Sequence, residues 1–181
     1  MKIFITGNPG IGKTVVIKKV ADLLKDKIIG FWTEEQRDSQ TGKRVGFKII
    51  TTDGNISTLA SKTLYSPFRI GSYGVNVKEF EALVIPLLEK AIEQRDKIII
   101  IDEIGKMELF SEKFIKLVKQ IIFTDNFNVI ASIPSKDVHP LVSSIRKLKE
   151  GNLIEITTGN RDDMPAYIFK LFNFEKKRVY K

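Results

Sequence analysis

Gly7-Asn8-Pro9-Gly10-Ile11-Gly12-Lys13-Thr14 decides the reading of this chain. It satisfies the pattern Gly, four residues, Gly, Lys, Ser or Thr, in which glycines let the backbone turn tightly and aim successive amide N–H groups at phosphate oxygens. Its flanks agree. Met1-Lys2-Ile3-Phe4-Ile5-Thr6 is apolar and β-prone, and the stretch from Lys13 to Leu24 is helix-like, so the loop joins a strand to the positive end of a helix dipole. In that setting Gly7, Asn8, Pro9, Gly10, Ile11 and Gly12 wrap the phosphates, Lys13 reaches the β and γ phosphates, and the Thr14 hydroxyl binds Mg²⁺. The competing reading is an ordinary glycine turn between a strand and a helix.

Outward from the loop, Ile28 to Thr33 reads as a second strand and the polar run Arg37 to Arg44 as a turn. Val45, Phe47 and Ile49 then alternate, and Asp53-Gly54-Asn55 marks a tight turn before a short strand, Ile56 to Ala60. This predicts an antiparallel β meander inserted at about residues 34–60. Ser61 to Asn76 reads as a loop of about sixteen residues, a length associated with function. Its aromatic residues Tyr65, Phe68 and Tyr73 are equally suited to stacking a base or to packing the loop. Asn76 and Glu79 have capping-box spacing ahead of a helix that Pro86 should kink. Lys97 to Ile101 is a continuous aliphatic strand, as expected of a strand buried on both faces of a parallel sheet. Ser111 caps a helix with a stripe of Phe114, Leu117, Val118, Ile121 and Ile122. A strand from Phe127 to Ile133, a helix near Leu141 to Lys147, a strand from Leu153 to Thr157 and a helix from about Asp163 to Phe172 complete the chain. The alternation predicts an α/β fold, a mainly parallel sheet flanked by helices, over one domain spanning residues 1–181.

The aliphatic strand delivers Asp102 and Glu103 to its carboxyl end, where open α/β sheets bind ligands. Asp102 is the expected magnesium partner, acting through water, because Mg²⁺ keeps several waters and needs few carboxylates. Glu103 is placed to orient, or take a proton from, a water attacking the γ phosphorus; a surface or helix-capping carboxylate is its alternative. An acidic pair of this kind resembles water-activating phosphate-loop ATPases, and no guanine-reading Asn-Lys-x-Asp occurs. Charge on the phosphoryl group calls for a further cation. Of seven arginines, Arg161 follows the last predicted strand at the ligand edge, and Arg37, Arg44 and Arg69 sit in loops; for each, a surface ion pair competes. Trp32 reads as core or core edge.

The 181 residues carry 30 basic and 22 acidic side chains, a net charge of +8, spread as lysine except at the carboxyl-terminal tail around Arg178. Dispersed lysine favours solubility over a nucleic-acid footprint. With no cysteine and one histidine, disulfides, cysteine catalysis and His/Cys zinc sites are excluded. No apolar run is long enough to span a bilayer and no secretory signal opens the chain, so a cytoplasmic monomer without membrane attachment is expected.

Taken together, the phosphate loop, Gly30-Phe31-Trp32-Thr33-Glu34-Glu35-Gln36-Arg37 with Gly42-Lys43-Arg44-Val45-Gly46-Phe47, Ile101 to Leu109 with its Gly-Lys-Met-Glu, and Thr158 to Pro165 with Asn160-Arg161-Asp162 resemble the small nucleoside-triphosphatase family that spans thermophiles and animals. The resemblance covers nearly the whole chain; Gln36 departs from it, standing where an aliphatic residue is expected. It implies a P-loop fold of the RecA-like or AAA-like kind and Mg²⁺-dependent hydrolysis of ATP, GTP, CTP and UTP to diphosphates with broad base tolerance. Three alternatives compete: a nucleoside or nucleotide kinase, which would need an arginine-bearing lid, a nucleic-acid-stimulated ATPase, and a slow nucleotide switch.

Overall fold

The computed structural model describes residues 1–124 and 126–176, with side chains as far as residue 173; the basic tail around Arg178 lies outside them. Five parallel strands form the centre: β1 (Lys2–Thr6), β2 (Ile28–Arg37), β7 (Ile98–Asp102), β8 (Asn128–Ser132) and β9 (Gly151–Glu155). β3 (Arg44–Thr51), β4 (Ile56–Ser61), β5 (Arg69–Ile70) and β6 (Tyr73–Val75) extend the sheet antiparallel beyond β2. The order is β5-β6-β4-β3-β2-β7-β8-β1-β9. β8 therefore separates β1, which ends at the phosphate loop, from β7, which ends at the acidic pair, with Ile5 in register with Ser132 and Ile101 with Ala131.

Because right-handed crossovers alternate between the faces, the central strands are covered on both. α1 (Lys13–Leu24) and α5 (Met164–Lys176) lie on one face. They pack on Ile3, Ile5, Ile98, Ile100 and Ile130. α2 (Val77–Glu93), α3 (Glu112–Lys119) and α4 (Pro140–Arg146) cover the other face, where Phe4, Phe31, Ile99, Ile101 and Val129 point. Two-sided burial explains why β1 and β7 read as unbroken apolar runs. Phe31, Phe80 and Phe114 form an edge-to-face triad with centroids 5.1 to 6.1 Å apart, joining β2, α2 and α3. Each such pair adds about 1 kcal/mol to its burial.

Several sequence-based boundaries are corrected. β2 runs to Arg37, not Thr33, because pairing with β3 sustains it through a register shift at Gln36, which is exposed. The segment 61–76 is not a plain loop: it holds the β5–β6 hairpin, docked on β4 through Ala60 with Val75 and Ser61 with Gly74, so the antiparallel layer reaches Val75. The Asn76 side chain accepts from the Glu79 N–H at 3.2 Å, and α2 continues through Pro86 for its full 17 residues. The last strand ends at Glu155, which leaves Thr157 in the following turn.

Gly30 sits where β2 meets β7, with φ of 147°, and a Cβ there would lie 1.9 Å from the Ile100 carbonyl oxygen. Gly30→Ala is expected to cost more than about 3 kcal/mol by forcing β7 out of register. A urea midpoint close to wild type would contradict it.

Candidate active site

Gly12 is the N-cap of α1, and its φ of 109° is the left-handed value that brings the chain from loop to helix. No side chain caps this end and no acidic residue stands in its first turn, so its N–H groups and dipole remain available to an anion. Asn8, Pro9 and Gly10 are exposed at the loop's crest. The Lys13 side chain lies back across the loop, its ammonium donating to the Gly7 carbonyl at 3.2 Å and standing 3.8 Å from Glu103 Oε2.

Asp102 closes β7 and is 1% exposed. One carboxylate oxygen accepts from the Ser132 hydroxyl, which β8 brings alongside. The other, Oδ2, is buried with no hydrogen-bond partner in full geometry, although the Thr14 hydroxyl is close enough to favour the charged carboxylate. Burial raises the Asp102 pKa above the usual carboxylate range, against the pull of Ser132, Thr14 and Lys13. Glu103 follows across a cis peptide bond and is also shifted upward, chiefly by desolvation and secondarily by Asp102, with Lys13 opposing.

An orphaned carboxylate oxygen beside a threonine hydroxyl fits a hydrated divalent cation, which would satisfy both without further protein ligands. Among the described residues no group of three or more His, Cys, Asp or Glu is arranged to hold a metal by itself. A cation here would thus lean on phosphate oxygens and water for most of its shell.

Arg161 rides on the turn after β9, which Asn160 fixes by accepting from the Thr157 N–H at 2.9 Å and donating to the Glu155 carbonyl at 2.8 Å. Its Cδ lies 4.0 Å from where a Cβ on Gly12 would be, so its side chain flanks the phosphate loop. The guanidinium is exposed and has no hydrogen bond or ion pair among the described residues. The other described arginines are engaged. Arg37 and Arg44 pair with Glu35 at 2.5 and 2.9 Å, Arg69 donates to the Ser72 carbonyl at 3.1 Å, Arg95 stacks over Phe127 at 4.8 Å, and Arg146 bonds Asp137 at 3.0 Å. Tyr73 packs on Phe47 and Phe68 on Phe110, with Phe68 still partly exposed and Tyr65 almost fully so. Trp32 is half-buried in register with Asp102, its indole N–H enclosed without a partner.

Two residues beside this site carried no role in the sequence reading. Ser132 lies on a different strand from Asp102, and only sheet order joins them. Glu108 is 5% exposed, and burial together with Glu103 pushes its pKa up to about 8.

Residues 2–169 match the sequence profile of the family described as NTPase. The chain belongs to this family of nucleoside-triphosphatases. It is therefore a hydrolase. Nucleoside-triphosphatase THEP1 of Aquifex aeolicus is 57% identical over 166 residues, covering 90% of this chain and 93% of that one. The crystal structure of the Aquifex protein superposes with a TM-score of 0.89 at 52% identity over the superposed residues, covering 94% of this chain and 98% of that one. The solution structure of a human cancer-related nucleoside triphosphatase superposes with a TM-score of 0.78 at 36% identity, covering 94% and 96%. Among the described residues no helix is long and apolar enough to cross a membrane.

Glu108 gives the site a signature in stability. Its carboxyl stays protonated in the fold up to about pH 8, whereas in the unfolded chain it ionises near 4.5. Between those values the unfolded state binds fewer protons, so this group's contribution falls by about 1.4 kcal/mol per pH unit and is flat on either side. In nucleotide-free protein, the stability of Glu108→Gln relative to wild type is expected to rise from pH 5 to pH 8. Urea melts that give a constant difference would contradict it.

Proposed function

We propose that this chain hydrolyses the γ phosphate of nucleoside triphosphates in a Mg²⁺-dependent reaction, with little discrimination among bases. The observation that carries the reading is the convergence of Lys13, Thr14, Asp102 and Glu103 at the carboxyl ends of β1 and β7. The loop amides and the α1 N-terminus bind the phosphates, and Lys13 exchanges the Gly7 carbonyl for β and γ oxygens. Thr14 and, through water, Asp102 would hold the Mg²⁺ ion, which supplies charge neutralisation of the β and γ oxygens. Glu103 orients a water and accepts its proton as the water oxygen bonds to the γ phosphorus. The bond from that phosphorus to the bridging oxygen breaks, giving diphosphate and inorganic phosphate. Arg161, free and beside the loop, turns onto the transferring phosphoryl group.

The engagement of the other described arginines favours hydrolysis over a kinase reaction, for which an acceptor-binding arginine lid is needed. Base tolerance is supported by the absence of a guanine-reading Asn-Lys-x-Asp from the sequence.

Phosphate release from ATP, GTP, CTP and UTP, with Mg²⁺ and with chelator, tests the reading. All four are expected to turn over without acceptor or nucleic acid, and chelation to stop them. Lys13→Ala is expected to lose nucleotide binding or turnover. Glu103→Gln should retain binding with kcat lower by about 10²-fold or more, and Arg161→Ala should lower kcat by about 10³-fold with little change in binding. Wild-type turnover in Glu103→Gln would remove Glu103 from the reaction, and activity appearing only with an acceptor would make the protein a kinase.

A further inference from the structure

Ser132 is the one polar side chain in the run Val129-Ile130-Ala131-Ser132-Ile133, every residue of which is 0% exposed. For packing between β1 and β7 an alanine would serve, because a buried hydroxyl costs stability unless it is hydrogen-bonded. Its bond is to the end of the neighbouring strand. Ile130 and Ile100 are in register in the core under α1 and α5, and two residues further along β8 and β7 the alternation of side chains brings Ser132 and Asp102 to that same face. There the Ser132 hydroxyl donates to Oδ1 of Asp102, while Oδ2 is enclosed with no partner. The Ser132 backbone is pinned from both sides: its carbonyl accepts from the Ile104 N–H at 3.0 Å, and the next N–H, of Ile133, donates to the Ile5 carbonyl at 2.9 Å. The donor is therefore as rigid as the sheet, whereas the torsion of the carboxylate it holds is broad by nature.

We propose that Ser132 is the positioning residue of the cation site: by donating its only hydroxyl proton to Oδ1 of Asp102, it fixes the plane of the carboxylate and reserves Oδ2 for a water on the Mg²⁺ ion. With Oδ1 committed inside the sheet, Asp102 cannot chelate an ion through both oxygens. The single oxygen that remains suits an ion that keeps its waters and demands near-octahedral geometry. The same bond withdraws Ser132 from the phosphates, since a hydroxyl has one proton to donate. Groups that orient a metal's ligands in this way govern affinity without touching the metal. The inference rests on the Mg²⁺ role proposed for Thr14 and Asp102, and goes beyond it by assigning the group that sets which oxygen of Asp102 serves the ion.

The test compares Ser132→Ala, which removes the donor, with Ser132→Thr, which keeps a hydroxyl, each in the wild type and in Asp102→Asn. Affinity for a non-hydrolysable ATP analogue is measured in Mn²⁺ and in chelator, so that the ratio isolates the cation's share, together with thermal midpoint and kcat against Mg²⁺ concentration. Trp32, the chain's only tryptophan and in register with Asp102, supplies a second readout through quenching of its emission by the bound Mn²⁺. Ser132→Ala is expected to reduce the gain in affinity that Mn²⁺ provides by about ten- to a hundredfold, the scale of a lost outer-shell partner. Analogue binding in chelator should stay within about threefold, and the kcat that is lost should return as Mg²⁺ is raised. Ser132→Thr should keep the gain within about threefold of wild type, and in Asp102→Asn neither substitution should reduce it further. Three results would overturn the proposal while leaving the hydrolase reading intact: a wild-type Mn²⁺ gain in Ser132→Ala when Asp102→Asn has lost it, an equal loss in both backgrounds, or a Thr variant of wild-type thermal midpoint that does no better than Ala. A wild-type Mn²⁺ gain in Asp102→Asn would instead sink the metal role of Asp102 and this inference together.

Discussion

The constraint on which the structure depends is the cost of keeping carboxylates out of water at the end of β7. Asp102 is nearly inaccessible, Glu103 is partly covered, and Glu108 is folded back beside them. Desolvation alone would neutralise all three. The site divides the problem unequally: Asp102 is held by the Ser132 hydroxyl, with Thr14 and Lys13 nearby, and Glu103 faces Lys13, while Glu108 has no cation and keeps its proton. Charge is thus concentrated where a hydrated cation and triphosphate would sit, and the unpaired Asp102 oxygen is the unfinished part of that arrangement.

The sheet order makes this possible. Inserting β8 between β1 and β7 sets the phosphate loop apart from the acidic pair and supplies Ser132 from the intervening strand. Helices on both faces dry the strand ends, which strengthens every polar contact made there. The antiparallel layer from β3 to β6 serves another end. Its ion pairs, in which Glu35 binds both Arg37 and Arg44, are exposed and contribute about 0–1 kcal/mol each. Their consequence is to occupy arginines that a sequence reading leaves open as phosphate contacts, so that Arg161 remains beside the loop.

Local pattern determined much of this protein. The phosphate loop, the strand before it and the helix after it are legible because a tight turn, a β-prone run and helical spacing are short-range properties. β7 and its Asp102-Glu103 end are legible for a similar reason: burial on both faces demands an uninterrupted aliphatic run, and the ligand edge lies at its carboxyl end. The capping residues Asn76 and Ser111 were equally plain. Family resemblance added nucleoside-triphosphatase activity, which the family match then supported.

Tertiary structure decided the rest, because the deciding partners are distant in sequence. The β5–β6 hairpin exists by docking on β4, and β2 extends by pairing with β3, neither of which a local reading of residues 61–76 or 28–33 contains. Which arginine is free follows from where Glu35 and Asp137 lie. Ser132 meets Asp102 across 30 positions of chain, and Glu108 becomes an acid that keeps its proton only when the fold excludes water and sets it against Glu103. Local sequence specifies which chemical groups are present and on which element; desolvation and long-range hydrogen bonding, which exist only once the sheet is assembled, specify what charge they carry and what they face.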